Sequence, residues 1–141
     1  MDGGENRLIE KETPEMGAAA TLTTDNFDAT IEDNDIVLVD FWASWCGPCR
    51  SFAPVFEQTA TEHPDIVFGK VDTEDQLELA ATFNIRSIPT LMVFRDQVLL
   101  YSQPGALPKA ALDDLIGQVR KLDMDAVRQQ LTNERASISS N

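Results

Sequence analysis

The sequence predicts an α/β domain, a mixed β-sheet whose central strands run parallel and whose two faces are covered by helices. Three observations carry that expectation. IVLVDFWA (36–43) and DIVFGKVD (65–72) are almost continuously apolar and rich in β-branched and aromatic residues, as strands buried on both faces are. The stretches between and after them space their apolar residues helically, so helices and strands alternate. At 141 residues the chain can bury one such core and is too short for two.

Residues 1–19 hold Gly, Glu, Lys and a Pro with almost no periodicity and read as a disordered acidic tail. TLTTDNFDATIEDND (21–35) offers Thr24 or Asp25 as an N-cap and a thin stripe of Phe27 and Ile31, which predicts a short helix. A short strand around 20–22 is expected in front of it. After the first buried strand, CRSFAPVFEQTATEH (49–63) places Phe52, Val55, Phe56, Thr59 and Ala60 at helical spacing, with Pro54 inside. Following the second buried strand, TEDQ (73–76) reads as a capping box with Thr73 at the N-cap, opening a helix through Leu77, Ala80 and Ala81. TLMVF (90–94) and VLLYS (98–102) are close enough to pair as an antiparallel hairpin, although the usual turn glycine is missing. Pro108 opens a helix with Leu112, Leu115, Ile116, Val119 and Leu122 on one face. These elements define a domain over 20–122. The extension 123–141 has Asp123 as an N-cap and Val127 and Leu131 four apart, which predicts a short helix that frays after about Asn133.

Composition narrows the function. A formal net charge of -13 argues against nucleic acid as a partner, because an acidic surface repels phosphates. No apolar run approaches the roughly 20 residues that span a bilayer. The first residues lack the basic start and apolar centre of a signal peptide, so the expected compartment is the cytoplasm. There a Cys-x-x-Cys is more often catalytic or metal-binding than a structural disulfide. No glycine-rich nucleotide loop occurs.

Both cysteines lie in FWASWCGPCR (41–50), and three uses of them compete. A structural zinc needs four ligands, and the chain offers two thiols and one distant histidine, His63. A disulfide across two residues closes too small a loop to stabilise much. A redox pair explains more of the surroundings. A strand runs into Cys46 and a helix begins at Gly47 or Pro48, so the unpaired N–H groups and dipole of the helix favour a thiolate at Cys46. Proline suits that first turn. On this reading Cys46 is the exposed nucleophile and Cys49, one turn in, the shielded resolving thiol; Cys-x-x-Cys beside a βαβ pattern is a redox signature. Asp40 is the one charge in an otherwise apolar strand, where burial raises a carboxyl toward the range useful for proton transfer. Lys70 interrupts the other strand in the same way; an end-of-strand lysine reaching water is the alternative.

VDFWASWCGPCR (39–50), KVDTEDQ (70–76), IRSIPTLMVF (85–94) and PGAL (104–107) together resemble the thioredoxin family, in its order and spacing, over about residues 20–122. The resemblance implies a thioredoxin fold and a protein-disulfide reductase. Cys46 would attack a substrate disulfide and Cys49 resolve the mixed disulfide. Asp40 would move the proton of Cys49, with Lys70 as its charged neighbour. Pro89 would be cis, against the usual preference of X-Pro bonds. Trp42, Trp45, Gly47, Pro48, Ile88, Pro89 and Gly105 would form the substrate groove. The redox centre would be the Cys46–Cys49 disulfide itself, with no bound cofactor or metal. NADPH would act only through a thioredoxin reductase, and disulfide-containing proteins would be the clients of a monomer. Ser87 and Gln97 stand where glycines are common in the family, and Leu107 replaces a helix cap. A thiol oxidase or isomerase on the same fold, and a non-catalytic binding module, are the rival functions.

Overall fold

The structure, a computed structural model, describes residues 18–139. The expected tail, apart from its last two residues, lies outside them. Five strands form one sheet in the order β1-β3-β2-β4-β5, with β1 at Ala19–Thr21, β2 at Ile36–Trp42, β3 at Val67–Asp72, β4 at Thr90–Arg95 and β5 at Val98–Pro104. β2 pairs parallel with β3 and antiparallel with β4, and β3 also carries β1 in parallel. The helices are α1 (Phe27–Asp33), α2 (Gly47–Glu62), α3 (Leu77–Thr82), α4 (Lys109–Lys121) and α5 (Met124–Ser139).

Side-chain alternation explains why β2 is apolar at every position but Asp40. Ile36 and Leu38 point to the face where Phe52 and Phe56 of α2 pack with Leu112, Ile116 and Val119 of α4. Val37, Val39 and Phe41 point to the other face, with Phe27 and Ile31 of α1 and Leu79 of α3. Each face of the central strand is therefore a core. Asp40 follows the first set, so the period of two puts it on the face that α2 covers. Gly69, in β3, leaves room for Leu22, whose side chain occupies the space that any Cβ would need.

Four local expectations are corrected. Thr73 is not an N-cap: its N–H and hydroxyl donate to the Trp42 carbonyl at 2.9 and 3.1 Å, extending the end of β2 and β3 instead of starting a helix. α3 accordingly begins at Leu77, after Gln76, whose side-chain oxygen accepts from Thr24. Thr24 and Asp25 do not cap α1 either; Asn26 precedes it, and its side chain turns back to accept from the Thr23 N–H at 2.7 Å. Pro108 is the residue before α4 and not its first. α5 does not fray near Asn133 but runs to Ser139. Its Thr132 hydroxyl bonds the Arg128 carbonyl, and Glu134, Arg135 and Ala136 are good helix formers that prolong it.

The hairpin forms as expected and shows how it does without glycine. Asp96 and Gln97 both take left-handed backbone, φ 52° and 68°, the conformation a two-residue type I′ turn requires. The Asp96 N–H is anchored on the Asp35 carbonyl at 2.8 Å, and its carboxylate receives Arg128 from α5. Met124 is buried, which with that ion pair fastens the extension to the domain.

Candidate active site

β2 ends at Trp42, and four residues later Cys46 stands in extended backbone as the N-cap of α2. The short loop is closed by the Cys46 N–H on the Ala43 carbonyl and by Arg50 reaching back to the Ser44 carbonyl at 2.9 Å. Pro48 lies in the first turn, where its missing N–H leaves no intrahelical bond unmade. One helical turn returns Cys49 to Cys46, and the two are joined as a disulfide. The Cys49 N–H donates to Cys46 Sγ at 3.2 Å, so the first sulfur takes the place of a capping oxygen.

The expected contrast in exposure is absent. Cys46 is 4% exposed and Cys49 2%, while Trp45, Gly47 and Pro48 around them face solvent. The Ile88–Pro89 loop explains it: Cys46 Sγ lies 3.7 Å from the Ile88 carbonyl oxygen, in a segment 42 residues distant that covers the sulfur. The two sulfurs differ instead in electrostatics, because only Cys46 receives the helix-terminal N–H.

The Ile88–Pro89 bond is cis, and Pro89 is buried. Its carbonyl accepts from the Gly105 N–H at 2.8 Å, tying the loop to the end of β5. Gly105 has φ 107°, which favours glycine, and open space on the side where a Cβ would stand. Ile88 and Gly105 thus flank Pro89, in the loop that meets the disulfide.

Asp40 is fully buried, and among the described residues neither carboxylate oxygen has a hydrogen-bond partner. Burial raises its pKa from 3.8 to about 7, with the positive charge of Lys70 pulling the other way. Lys70 is opposite Asp40 in the parallel register of β2 and β3, but its ammonium forms no ion pair with the carboxylate. It sits 4.7 Å from the centroid of the half-buried Trp42 ring, a cation–π contact. Trp45 is 65% exposed, and its indole N–H donates to Glu74 at 3.3 Å. The capping box expected over 73–76 hides Glu74 in the sequence; in the structure its N–H donates to Asp72 Oδ1 at 2.9 Å and its carboxylate accepts from Trp45.

His63 caps the C-terminal end of α2 beside Arg120, at the opposite end of the helix from the cysteines. Glu62, His63 and Asp113 are close enough to bind a metal, but Lys109 already ion-pairs both carboxylates, at 2.6 and 2.9 Å.

With this geometry in view, comparison with known proteins is specific. The family described as Thioredoxin matches residues 18–118. The chain is 60% identical over 121 residues to a putative thioredoxin 2 of Streptomyces coelicolor, covering 86% of this chain and 90% of the relative. It is 43% identical to thioredoxin 1 of a Nostoc species, covering 72% of this chain and 96% of that one. Among solved structures, a mutant thioredoxin from Halobacterium salinarum superposes with a TM-score of 0.69 at 35% identity, over 74% of this chain and 93% of the other.

Proposed function

The chain belongs to the thioredoxin family and is a thiol–disulfide oxidoreductase whose redox centre is its own cysteine pair, and on that premise we propose how its residues divide the work. The Cys46 thiolate attacks one sulfur of a client disulfide, forming a mixed disulfide and releasing the first client thiolate. Cys49 gives its proton to Asp40 and attacks Cys46 Sγ. The Cys46–Cys49 bond forms, the mixed disulfide breaks, and the second client thiol leaves with the proton. Two electrons pass from the dithiol to the client.

The observation that carries this division is the hydrogen bond from the Cys49 N–H to Cys46 Sγ at the start of α2. A donor aimed at one sulfur stabilises its thiolate over the other, which makes it both the better nucleophile at neutral pH and the better leaving group when the disulfide is reopened. Asp40 supports the proton step: among the described residues it has no hydrogen-bond partner to hold it ionised, and a pKa of about 7 lets it take up and return a proton at physiological pH. Lys70, its cross-strand neighbour, keeps that value from rising further.

The client segment crosses the sulfurs in extended form over Ile88, cis-Pro89 and Gly105, bordered by Trp42, Trp45, Gly47 and Pro48. Support comes from the contact of the Ile88 carbonyl with Cys46 Sγ and from the exposure of Trp45, Gly47 and Pro48 beside a buried disulfide. The oxidised pair is recharged by a thioredoxin reductase that draws on NADPH, as is general in the family. The working form is a cytoplasmic monomer, with residues 20–122 as the catalytic domain and 123–141 as an appended helix. Among the described residues no helix is long and apolar enough to cross a membrane.

Insulin reduction with dithiothreitol, followed by turnover with NADPH and a thioredoxin reductase, tests the reading. Cys49→Ser should stop turnover and accumulate client joined to Cys46. Clients trapped instead on Cys49 in Cys46→Ser, with none on Cys46, would reverse the two roles.

A further inference from the structure

The chain carries 24 acidic and 11 basic residues, so acidic clients are repelled by most of its surface. Most of its described cations are already engaged. Arg50 and Arg95 donate to backbone carbonyls, Lys70 lies on Trp42, and Lys109, Arg120 and Arg128 are ion-paired. Arg86, Lys121 and Arg135 are exposed and, among the described residues, neither hydrogen-bonded nor ion-paired; of the three, Arg86 is the one placed beside the cis-proline loop.

Arg86 lines a cleft of about 170 Å³ beside the cis-proline loop. Ser87, Ser102 and Asn84 share the lining, and their side chains have no partner among the described residues either. Among the described residues no acidic side chain lines it. The cleft is built onto the groove: Ser87 adjoins the cis Ile88–Pro89 bond, and the Thr90 hydroxyl donates to the Ser87 carbonyl. Pro104, opposite Thr90 in the β4–β5 register, leads into Gly105, whose N–H holds Pro89. One loop thus meets the disulfide through Ile88 and lines this cleft through Arg86 and Ser87.

We propose that the cleft is a subsite for a carboxylate side chain of the disulfide client, selected by Arg86. The proposal rests on the reading that the client strand crosses Pro89. An extended strand advances about 3.3 Å per residue, so a side chain within about three residues of the reacting cysteine reaches past the loop. A guanidinium offers paired N–H donors to a carboxylate, and the Ser87 and Ser102 hydroxyls and the Asn84 amide add neutral ones. Because the chain as a whole is strongly acidic, an attractive contact beside the disulfide favours acidic clients that bind in the register that reaches it.

Synthetic disulfide peptides test it, with Glu, Gln or Lys placed at one position at a time within three residues of the cysteine. At low salt the wild type should show kcat/KM for Glu over Gln of about three- to tenfold at one or two positions, the range of a partly exposed charge-assisted pair, shrinking as salt rises. Arg86→Gln should bring that ratio to about one, and Arg86→Glu should favour the Lys peptide. Each ratio is taken within one enzyme, so a general loss of activity cancels. A wild type with no Glu preference at any position, or an Arg86→Gln that keeps it, overturns the subsite. The Gln peptide judges the groove separately: if the wild type fails to reduce it at all, the reductase reading itself falls.

Discussion

Replacing Asp40 by Asn isolates the effect of one buried charge. The carboxyl titrates at about 7 in the folded protein against 3.8 for an ordinary aspartate, because burial disfavours its ionised form. The folded state therefore holds this proton more tightly than the unfolded chain. Asp40 weighs least on stability below pH 4, and its penalty grows as pH rises through the folded value. The gap between the two pKa values corresponds to about 4 kcal/mol, a large part of the roughly 5–15 kcal/mol by which domains are stable. Asn has the same shape and no charge. The oxidised Asp40→Asn protein should match the wild type within about 1 kcal/mol at pH 4 and exceed it by about 4 kcal/mol at pH 8. Chemical denaturation at four pH values measures the difference directly. A stability gain independent of pH would show that Asp40 titrates normally, and its proposed role as proton acceptor would fall with it.

The same variant should slow disulfide exchange by up to about 10²-fold, since an amide cannot take the Cys49 proton. The loss should be confined to resolution of the mixed disulfide, and the inflection near pH 7 in the wild-type rate should vanish. Stopped-flow exchange at several pH values separates these. Wild-type rates in a variant that is nonetheless stabilised would make Asp40 a structural acid only.

Other consequences follow from the local geometry. In the reduced protein, iodoacetamide at pH 7 should label Cys46 before Cys49 by peptide mapping, through thiolate character and not exposure, since the oxidised pair is nearly equally buried. Gln97→Gly should stabilise the protein by about 1 kcal/mol in calorimetry, because a left-handed residue with a Cβ is strained and glycine is not. Ending the chain after Leu122 should cost about 1.5–3 kcal/mol through loss of buried Met124, whereas ending it after Leu131 should change stability by about 0.5 kcal/mol or less.

What could be read from the sequence was what repeats or stands out locally. The runs that became β2 and β3 announced themselves because both of their faces are covered, which leaves no polar alternation to confuse them. The same uniformity exposed Asp40 as an anomaly. Thr73 was misread because a capping box and a strand end use the same residue types, and the choice is made by the Trp42 carbonyl thirty-one residues away. Cys46 was expected in solvent because its helix terminus was visible and the Ile88 loop that covers it was not.

The cleft at Arg86 belongs to that second class, since its lining comes from the end of α3, the cis-proline loop and β5. Its physical meaning depends on what is missing around it, a carboxylate to neutralise the arginine, and such an absence emerges only when distant segments meet. The dithiol and the cleft also differ in what they specify. Exchange at two sulfurs needs little from a client beyond an accessible disulfide, so on the proposed mechanism Cys46, Cys49 and Asp40 would set whether and how fast reduction occurs. Discrimination between clients must come from contacts beyond the reacting atoms. On a chain this acidic, the proposed subsite at Arg86 would supply such discrimination, because a local attraction beside the disulfide is set against a net negative surface.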